Sequence, residues 1–374
     1  MTTRAMRVLV TGAKGFIGKN LTRRLRERDD AYTVVEFTRD DAVASLPALL
    51  ADADAVVHLA GENRPKDAQD FTRVNTQLTQ SLCDAVKASG RLIPVLLASS
   101  TQAELASPYG LSKLAAEQAI EGLAGQTGNP VCIYRLPGVF GKWCKPNYNS
   151  VVATFCYQIA RGQDIQIRDE AARIRLVYVD DVVNEFISML ARIQPGLQRS
   201  QISPEYDISL GELAEQIQAF KHCRTSLVTE RVGGGLTRAL YATYVSYLPA
   251  DQFCYNIPRY GDERGVFVEM LKTQDSGQFS YFTAHPGITR GSHYHHSKTE
   301  KFLVIKGQAR FRFRHLLTNE TYELLTSGDV PQVVDTIPGW AHDITNVGHE
   351  EMVVMLWANE IFDRDRPDTI GCKV

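Results

Sequence analysis

A glycine-rich loop near the N-terminus constrains the fold of this chain more than any other stretch. The apolar run MRVLV leads directly into TGAKGFIG at residues 11–18, and a helical pattern follows. In such a loop Gly12 permits a tight turn, Gly15 lets the backbone approach a pyrophosphate, and Gly18 lets helix and strand pack closely. The N-terminus of the following helix then attracts the phosphates. The sequence therefore predicts a strand–turn–helix unit that binds a dinucleotide.

The N-terminal part of the chain predicts an α/β fold with a doubly wound parallel sheet. Short apolar runs alternate with helical stretches such as Leu111–Leu123. Continuous apolar strands joined by helices are typical of a parallel sheet that is covered on both faces. The predicted strands are Met6–Val10, Tyr32–Phe37, Ala55–Leu59, Pro94–Leu97 and Cys132–Leu136.

The pattern changes near Phe253, where short strands separated by turn residues replace the helices. This pattern is typical of an antiparallel sandwich or barrel. We expect the boundary between Tyr241 and Asn256, with one domain over 1–248 and a second over 253–374. The part over 140–245 would hold the substrate in the first domain. The strands predicted in the second are Gly265–Lys272, Gln278–Ala284, Lys301–Ile305, Ala309–Arg314, Thr321–Leu325 and Met352–Trp357.

Length, charge and cysteine content narrow the classes of function. The 374 residues suffice for two or three cores. A net charge of −2 favours neither a nucleic-acid binder nor a membrane-surface binder. The sequence shows neither a signal peptide nor a stretch as long as a membrane span. Its seven cysteines include no CxxC pair, which indicates free thiols, and we expect a cytoplasmic protein.

The end of the second predicted strand bears on the choice of dinucleotide. An NAD site usually has an acidic residue there to hold the ribose hydroxyls, but Thr38 stands at this place and Arg39 follows. An arginine suits a 2′-phosphate, and Lys14 in the glycine loop adds positive charge. The sequence therefore favours NADPH, with NADH as the second choice. In the alternative, Glu36 holds the ribose and Arg39 is only solvated.

A second motif, SSTQAELASPYGLSK, spans residues 99–113. Tyr109 and Lys113 are spaced i, i+4 at the start of a predicted helix, so they share one face. A lysine ammonium beside a phenol lowers the pKa of the phenol, which can then exchange protons near neutral pH. Ser100, at the end of a strand, would hold the substrate oxygen. A YxxxK pair by itself is more often only an exposed helix start.

The order of five stretches resembles the extended short-chain dehydrogenase/reductases that act on nucleotide sugars. These stretches are TGAKGFIG, VVHLAG, PYGLSK, RLPGVFG and VYVDDVV, and the resemblance covers about residues 6–248. It implies a Rossmann-like domain with catalytic Ser100, Tyr109 and Lys113, in which Lys113 also holds the nicotinamide ribose. Together, the motifs and the resemblance place at the cofactor Gly12, Lys14, Gly15, Phe16, Ile17, Gly18, Arg39, Leu59, Ala60, Gly61, Tyr109 and Lys113.

The sequence departs from that family in three places, and the third concerns the diphosphate of the sugar nucleotide. The interval from serine to tyrosine is short, Gly138 replaces the usual asparagine, and Ile174 replaces the customary arginine. The diphosphate contact must then come from another residue, and the candidates are Arg173, Arg175 and Lys142. Substrate contacts are also expected from Lys142 and Asn147, which follow the fifth strand at its carboxyl end. Asp180 and Asp181 are expected to cap a helix.

The stretch GSHYHHSKTEKFLVIKG, residues 291–307, predicts a metal site. It resembles the first cupin motif, and PGWAHDITN further on is close to the second. His293 and His295, spaced i, i+2, are expected on one face of a strand. With Glu300 and His342 they form a ligand set that suits a divalent metal, Zn²⁺ first and Mn²⁺, Fe²⁺ or Ni²⁺ next. The alternative is a jelly-roll cupin domain that keeps these polar residues without a metal.

The combination resembles the bifunctional CapF-type enzymes of capsular polysaccharide synthesis, on the route to UDP-N-acetyl-L-fucosamine. This resemblance spans the whole chain and implies a UDP-2-acetamido-2,6-dideoxy-4-hexulose as substrate. The cupin would epimerise C3, and the reductase domain would reduce the C4 ketone with NADPH to a UDP-N-acetyl-6-deoxy-L-talosamine. A homodimer is expected by analogy. The candidates for the cupin base are His296, Tyr294, Lys301 and Asp343.

Three rival interpretations stay open at this point. The cupin could be a non-catalytic module for dimerisation or ligand sensing. The N-terminal domain could be an NAD-dependent epimerase or dehydratase that recycles its cofactor. The cupin could also be an iron oxygenase. The remaining histidines, His285, His315 and His349, are expected at the surface or in turns.

Overall fold

The computed structural model describes residues 4–65, 67, 69–258, 260–262, 265–267, 271–273, 277–360 and 365–374. The chain divides into two compact units. The first is Met1–Ser150 with Ile174–Asp207, and the second is Val151–Arg173 with Ile208–Val374. This division reflects packing, and the domain limits at residues 248 and 253 stay a prediction. No helix in the described part of the chain is long and apolar enough to cross a membrane.

Strands and helices alternate through the first unit, as the sequence predicts. The strands up to residue 209 are β1 (Met6–Thr11), β2 (Tyr32–Phe37), β3 (Ala55–His58), β4 (Val95–Ser100), β5 (Val131–Leu136), β6 (Gly138–Phe140), β7 (Arg173–Tyr178), β8 (Leu197–Ser200) and β9 (Tyr206–Ser209). The α-helices of the chain are α1 (Phe16–Arg26), α2 (Leu46–Leu50), α3 (Leu78–Ala88), α4 (Pro108–Thr127), α5 (Val151–Ala160), α6 (Val179–Arg192), α7 (Leu210–Ser226) and α8 (Gly235–Val245). A π-helix covers Phe71–Gln77, and short 3₁₀ turns cover Val43–Ser45, Thr101–Glu104 and Ala250–Gln252.

Six strands form one parallel sheet in the order β2-β1-β3-β4-β5-β8. The strand order reverses at β1, which lies between β2 and β3. Ligands of doubly wound sheets bind at such a switch point, beyond the carboxyl ends of the strands. The glycine loop leaves β1 at this point. The predicted Rossmann-like sheet is therefore confirmed.

Both faces of this sheet are covered by helices, because alternate residues of each strand enter different cores. Val8 and Val10 of β1 pack in a core with residues of α1 and α6, whereas Leu9 packs with residues of α2, α3 and α4. These three strand residues are fully buried. Burial on both faces explains why β1 reads as a continuous apolar run.

In its described residues, the second unit contains three α-helices, α5, α7 and α8, and two five-stranded antiparallel sheets. The sheets have the orders β11-β20-β17-β22-β15 and β19-β18-β21-β16-β23. The later strands are β10 (Val228–Thr229), β11 (Cys254–Asn256), β12 (Tyr260–Asp262), β13 (Gly265–Phe267), β14 (Lys272–Thr273), β15 (Gln278–Ala284), β16 (Thr289–Tyr294), β17 (Glu300–Lys306), β18 (Gln308–His315), β19 (Thr321–Ser327), β20 (Gln332–Asp335), β21 (Trp340–Asn346), β22 (Met352–Ala358) and β23 (Ile370–Gly371).

The predicted change to a β-rich C-terminal part is confirmed. The predicted strand over Gly265–Lys272 is only partly described, because residues 268–270 lie outside the described part of the chain. Its ends belong to two separate strands, β13 and β14. The sequence analysis did not delimit β16, β20 and β21, although two of these three strands carry predicted metal ligands.

Candidate functional site

The glycine loop has the geometry that the sequence predicts. Gly12 has φ +68°, and a Cβ placed there would lie 2.7 Å from the backbone nitrogen of Ala60. A Cβ on Gly18 would lie 2.2 Å from the carbonyl oxygen of Gly12. Helix α1 begins at Phe16 with Gly15 as its N-cap, and no described side chain caps its first turn. These first amides are therefore available to an anionic ligand.

The residues after β2 show how charge is arranged at the ribose end. The backbone amide and the hydroxyl of Thr38 both donate to Asp41 Oδ2, at 2.7 and 2.9 Å. Lys14 Nζ donates to Asp40 Oδ2 at 2.7 Å, and both side chains are exposed. Arg39 is exposed and forms no ion pair among the residues that the structure describes. Unlike Lys14, Arg39 can therefore bind a phosphate without first breaking an ion pair.

The predicted lining residues Leu59, Ala60 and Gly61 follow β3. The amides of Leu59 and Ala60 donate to Thr11 Oγ1, at 3.1 and 3.2 Å. A Cβ on Gly61 would lie 3.2 Å from Asn75 Oδ1 and 3.9 Å from Lys113 Nζ. The segment therefore passes beside the ammonium group that is predicted to hold the nicotinamide ribose.

The first turn of α4 positions Tyr109 and Lys113. Ser107 caps the helix by accepting a hydrogen bond from the Gly110 amide at 3.0 Å, and Pro108 occupies the first helical position. Tyr109 is half-buried and hydrogen-bonded to Ser100, at the end of β4. Burial raises the pKa of Tyr109, and the bond to Ser100 opposes part of that rise. The structure thus brings Ser100 and Tyr109 together and places Lys113 one helical turn further along α4.

Lys113 is buried, and its ammonium donates to the carbonyl of Ala98 at 2.7 Å. Burial lowers the pKa of Lys113 to about 8, although the Glu117 carboxylate acts in the opposite direction. Glu117 is itself fully buried and accepts hydrogen bonds from Ser99 and Arg135. The sequence analysis missed this acid, although its place one turn after Lys113 on the same helix was a usable signal.

The depressed pKa of Lys113 predicts a pH-dependent stability. The unfolded chain binds more protons than the folded one between about pH 8 and the ordinary lysine pKa of 10.5, so this residue makes stability rise with pH there. Below that window the buried ammonium costs up to about 3 kcal/mol. In cofactor-free protein, we expect Lys113→Met to unfold at higher urea concentration than wild type near neutral pH.

The greater stability of Lys113→Met should shrink as the pH rises from about 8 to 10.5. The hydrogen bond to Ala98 is lost in the variant at every pH, so its loss does not alter the slope. Urea unfolding of both proteins at several pH values measures the difference in unfolding free energy. A difference that stays constant with pH would contradict the depressed pKa.

The two predicted substrate contacts lie in different surroundings. Lys142 is 1% exposed, and its Nζ lies 2.8 Å from Asp180 Oδ1 in the first turn of α6. Asn147 is exposed and has a left-handed backbone with φ +53°. The ion pair gives Asp180 a structural role, whereas contacts of Lys142 and Asn147 with a sugar nucleotide stay a prediction. The other two candidates for the diphosphate are exposed, with Arg173 paired to Glu212 and Arg175 to Glu205.

The second unit brings all four predicted metal ligands together. One ligand atom from each of His293, His295, Glu300 and His342 lies within 4.8 Å of the others. His293 is the penultimate residue of β16, Glu300 begins β17, and His342 lies in β21. The prediction that His293 and His295 share one strand face is wrong, because β16 ends at Tyr294. A register shift between Gly291 and His293 accompanies the left-handed Ser292, and the two imidazoles still lie 5.0 Å apart.

The chemistry of this cluster fits a divalent metal. Both ring nitrogens of His342 are buried without a hydrogen-bond partner among the described residues, and Glu300 Oε2 lies 3.7 Å from its Nε2. Burial lowers the pKa of His293 to about 3 and also lowers that of His342. Burial raises the pKa of Glu300, but the neighbouring His295, His342 and Lys298 bring it well below its ordinary value. Neutral imidazoles and a carboxylate are the forms that bind metals.

Asp368 holds the ligand loop, and the sequence analysis missed it. Its carboxylate accepts the backbone amides of His296, Ser297 and Lys298, at 2.9, 2.7 and 2.7 Å. Its carbonyl oxygen accepts the Nδ1 proton of His295, which leaves Nε2 of that ring beside Glu300 at 3.1 Å. Such a contact fixes the tautomer of a metal-binding histidine. No local spacing in the sequence links Asp368 to the histidines.

The four residues predicted as candidates for the cupin base contact other side chains of the second unit. Lys301 is buried in an ion pair with Asp335 at 2.6 Å, and Asp343 pairs with Arg312 at 2.6 Å. Tyr294 and His296 are buried with their rings 5.5 Å apart. By contrast, Lys298 Nζ lies 3.2 Å from Glu300 Oε1. His285 and His349 are exposed, and the ring of His315 lies against Trp340.

A glycine loop at the switch point of a parallel sheet, with a Ser–Tyr–Lys group beside it, defines a class of nicotinamide-dependent enzymes. Residues 8–203 match the family described as NAD dependent epimerase/dehydratase family, and residues 260–370 match the Polysaccharide biosynthesis C-terminal domain. The chain belongs to the NAD dependent epimerase/dehydratase family.

Along its full length the chain is similar to the UDP-2-acetamido-2,6-beta-L-arabino-hexul-4-ose reductase of Pseudomonas aeruginosa. The two are 57% identical over 369 residues, or 99% of each chain. The crystal structure of the capsular polysaccharide assembling protein CapF from Staphylococcus aureus is 40% identical, with a TM-score of 0.65 over 99% of this chain and 100% of that one. The resemblance to CapF-type enzymes is therefore confirmed. The UDP-glucuronic acid 4-epimerase of Bacillus cereus shares the fold of part of the chain, at 22% identity, a TM-score of 0.53 and 58% coverage of this chain against 84% of the epimerase.

Proposed function

We propose that the chain is an NADPH-dependent reductase of a UDP-2-acetamido-2,6-dideoxy-4-hexulose, with a second centre that epimerises C3 of the same sugar. The observation that carries the proposal is the Ser100–Tyr109–Lys113 group beside the glycine loop. It lies in a chain that is 57% identical, over 99% of its length, to a hexul-4-ose reductase.

In the reductase site, Ser100, Tyr109 and Lys113 have separate roles. The nicotinamide, when bound, supplies the hydride that reduces C4. Tyr109 donates a proton to the ketone oxygen, and Ser100 orients that oxygen through the hydroxyl that also meets Tyr109. Lys113 lies beside the cofactor-lining segment at Gly61, where its ammonium favours the phenolate that remains after proton transfer. After it has given up its proton, Tyr109 is therefore a phenolate stabilised by the Lys113 ammonium.

The cluster in the second unit is proposed to act on the carbon next to the same ketone. His293, His295, Glu300 and His342 would hold a divalent metal, Zn²⁺ first. A bound metal would polarise the ketone and so acidify the proton on C3. Removal of that proton and its return on the opposite face invert C3. The subsequent reduction yields a UDP-N-acetyl-6-deoxy-L-talosamine and draws the epimerisation forward.

One incubation tests both halves of the proposal. The protein is mixed with UDP-4-keto-6-deoxy sugars and NADPH in D₂O, and cofactor oxidation is followed together with deuterium at C3. We expect one NADPH consumed per sugar reduced and deuterium on C3 of the product. Turnover without net NADPH oxidation would instead identify an NAD-dependent epimerase or dehydratase that recycles its cofactor. Oxygen uptake with Fe²⁺ would identify an oxygenase.

The preference for NADPH has a separate test. The alternative ribose ligand, Glu36, accepts a hydrogen bond from Arg26 at 2.6 Å, whereas Arg39 has no ion-pair partner in the described ranges. A charged hydrogen bond to phosphate contributes about 1.5–3 kcal/mol. We therefore expect Arg39→Ala to weaken NADPH binding about tenfold or more and to leave NADH binding unchanged, as measured by nucleotide fluorescence titration.

Lys14→Ala is the matched control, because Lys14 is paired with Asp40 and should contribute less than Arg39. An equal loss of affinity for both nucleotides in Arg39→Ala would contradict recognition of a 2′-phosphate.

A further inference from the structure

We propose that His58 is a positioning residue for the dinucleotide site. As a neutral imidazole protonated on Nε2, it joins a one-directional chain of hydrogen bonds. This chain runs from the amides that line the cofactor site, through Thr11, His58 and Thr79, to the backbone of Asn75. The inference rests on one part of the proposed function, namely that this site binds a nicotinamide dinucleotide.

The Thr79 end of the chain fixes the tautomer of the imidazole. The Thr79 hydroxyl has one proton, and it donates that proton to the carbonyl oxygen of Asn75 at 2.6 Å. The Thr79 hydroxyl oxygen, Oγ1, lies 2.8 Å from His58 Nε2. Because the Thr79 proton is already used, the bond between these two groups needs a proton on Nε2. His58 Nε2 is therefore the donor.

The Thr11 end leads independently to the same assignment. Thr11 Oγ1 accepts the Ala60 amide at 3.2 Å and shares the Leu59 amide, at 3.1 Å, with the carbonyl oxygen of Thr11 at 3.2 Å. Its own proton remains for His58 Nδ1, which lies 2.6 Å away. Nδ1 must then be the acceptor. A doubly protonated ring would turn a donor toward an oxygen that is already approached by two amides.

Burial and nearby charge keep the ring neutral. His58 and Thr11 are fully buried, and Thr79 is 1% exposed. Burial, followed by the positive charge of Lys113, lowers the pKa of His58 to about 3. A buried hydrogen-bond chain in which each group has its partner holds its members in one arrangement.

The chain of hydrogen bonds connects two elements that must be in register for hydride transfer. One end holds the Leu59 and Ala60 amides, next to the glycine loop. The other end is Asn75, whose side chain exchanges hydrogen bonds with the backbone of Glu62 and donates to Ser112 at 2.9 Å. Ser112 directly precedes Lys113 on α4. His58 therefore helps to fix the distance between the cofactor-lining segment and the helix of the Tyr–Lys pair.

The first test reads the tautomer in cofactor-free, full-length protein. Long-range ¹H–¹⁵N correlation spectra of ¹⁵N-histidine-labelled protein assign His58 by comparison with a His58→Asn sample. We expect the pattern of a neutral ring protonated on Nε2, unchanged between about pH 5 and pH 8 because its pKa is about 3. A ring protonated on Nδ1, or one that titrates near the ordinary histidine value, would overturn the proposal.

The second test separates hydrogen bonding from packing by measuring the Kd for NADPH without any sugar. His58→Asn can keep an acceptor for Thr11, whereas His58→Leu keeps bulk and loses polarity. We expect His58→Leu to bind NADPH about tenfold more weakly than wild type, and His58→Asn to recover at least half of that loss on a logarithmic scale. A leucine variant that binds as well as the asparagine variant would show that the residue only fills space.

If one of the two variants fails to fold, the other still assigns the His58 signals, and the wild-type spectrum then decides the tautomer. Because neither test contains a sugar, failure of the reductase proposal would leave both results interpretable.

Discussion

Replacing Tyr109 with phenylalanine should lower the rate of ketone reduction by about 10²–10⁴-fold. The change removes only the Tyr109 hydroxyl, which is hydrogen-bonded to Ser100. Tyr109 itself is half-buried and lies one helical turn before Lys113. Without it, no proton is delivered to the ketone oxygen as the hydride arrives. NADPH oxidation under single-turnover conditions measures the loss, and nucleotide binding should change little.

Tyr32→Phe is the matched control, because it makes the same change at the start of β2, away from the three residues. Deuterium exchange at C3 gives the second readout, since a defect confined to proton donation at C4 should leave that exchange intact. Reduction at the wild-type rate in Tyr109→Phe would remove Tyr109 from the mechanism. It would also show that the hydrogen bond between Ser100 and Tyr109 is not needed for reduction.

Replacing His295 with alanine should remove the metal and abolish C3 exchange while ketone reduction continues. Loss of an outer partner of a metal ligand already costs 10–100-fold in affinity or activity, so loss of a ligand should cost more than about 100-fold. His295 is also the ring whose Nδ1 is held by the Asp368 carbonyl, so the change removes an oriented ligand. Bound metal is measured by elemental analysis, and exchange is measured by incorporation of deuterium at C3.

His349→Ala is the control for this variant, because His349 is an exposed histidine of the same unit. Treatment with a chelator should reproduce the His295→Ala result in wild type, and added Zn²⁺ should reverse it. Unaltered exchange after loss of the metal would favour the rival interpretation, in which the second unit is a dimerisation or sensing module.

The features that the sequence predicted well are those encoded over a few residues. The glycine loop depends on contacts between Gly18 and Gly12, and steric exclusion at such close range requires glycine. Tyr109 and Lys113 share a face because the helical repeat places residues i and i+4 together. The change from α/β to antiparallel structure was equally visible, since it depends on hydrophobic periodicity and turn residues.

The features that the sequence did not reveal depend on contacts between distant segments. Asp368 reaches the loop after β16 only through the pairing of β16 with β23, and no short-range pattern encodes that pairing. The strand expected to carry both His293 and His295 ends between them, because the loop amides bond to Asp368 and not to a neighbouring strand. The ion pair of Lys142 with Asp180 joins residues 38 apart in the sequence and was likewise not foreseen, whereas contact of Lys142 with a substrate stays a prediction.

The position of Asp368 also has a consequence for the order of events during biosynthesis. Chains fold from the N-terminus as they are made, so the parallel sheet, whose last strand ends at Ser200, can assemble while translation continues. The carboxylate that gathers three loop amides is only six residues from the end of the sequence. The loop of the candidate metal site therefore acquires its anchor well after the last strand of the parallel sheet has been made. A metal held by this loop would arrive after that sheet can form and not before it.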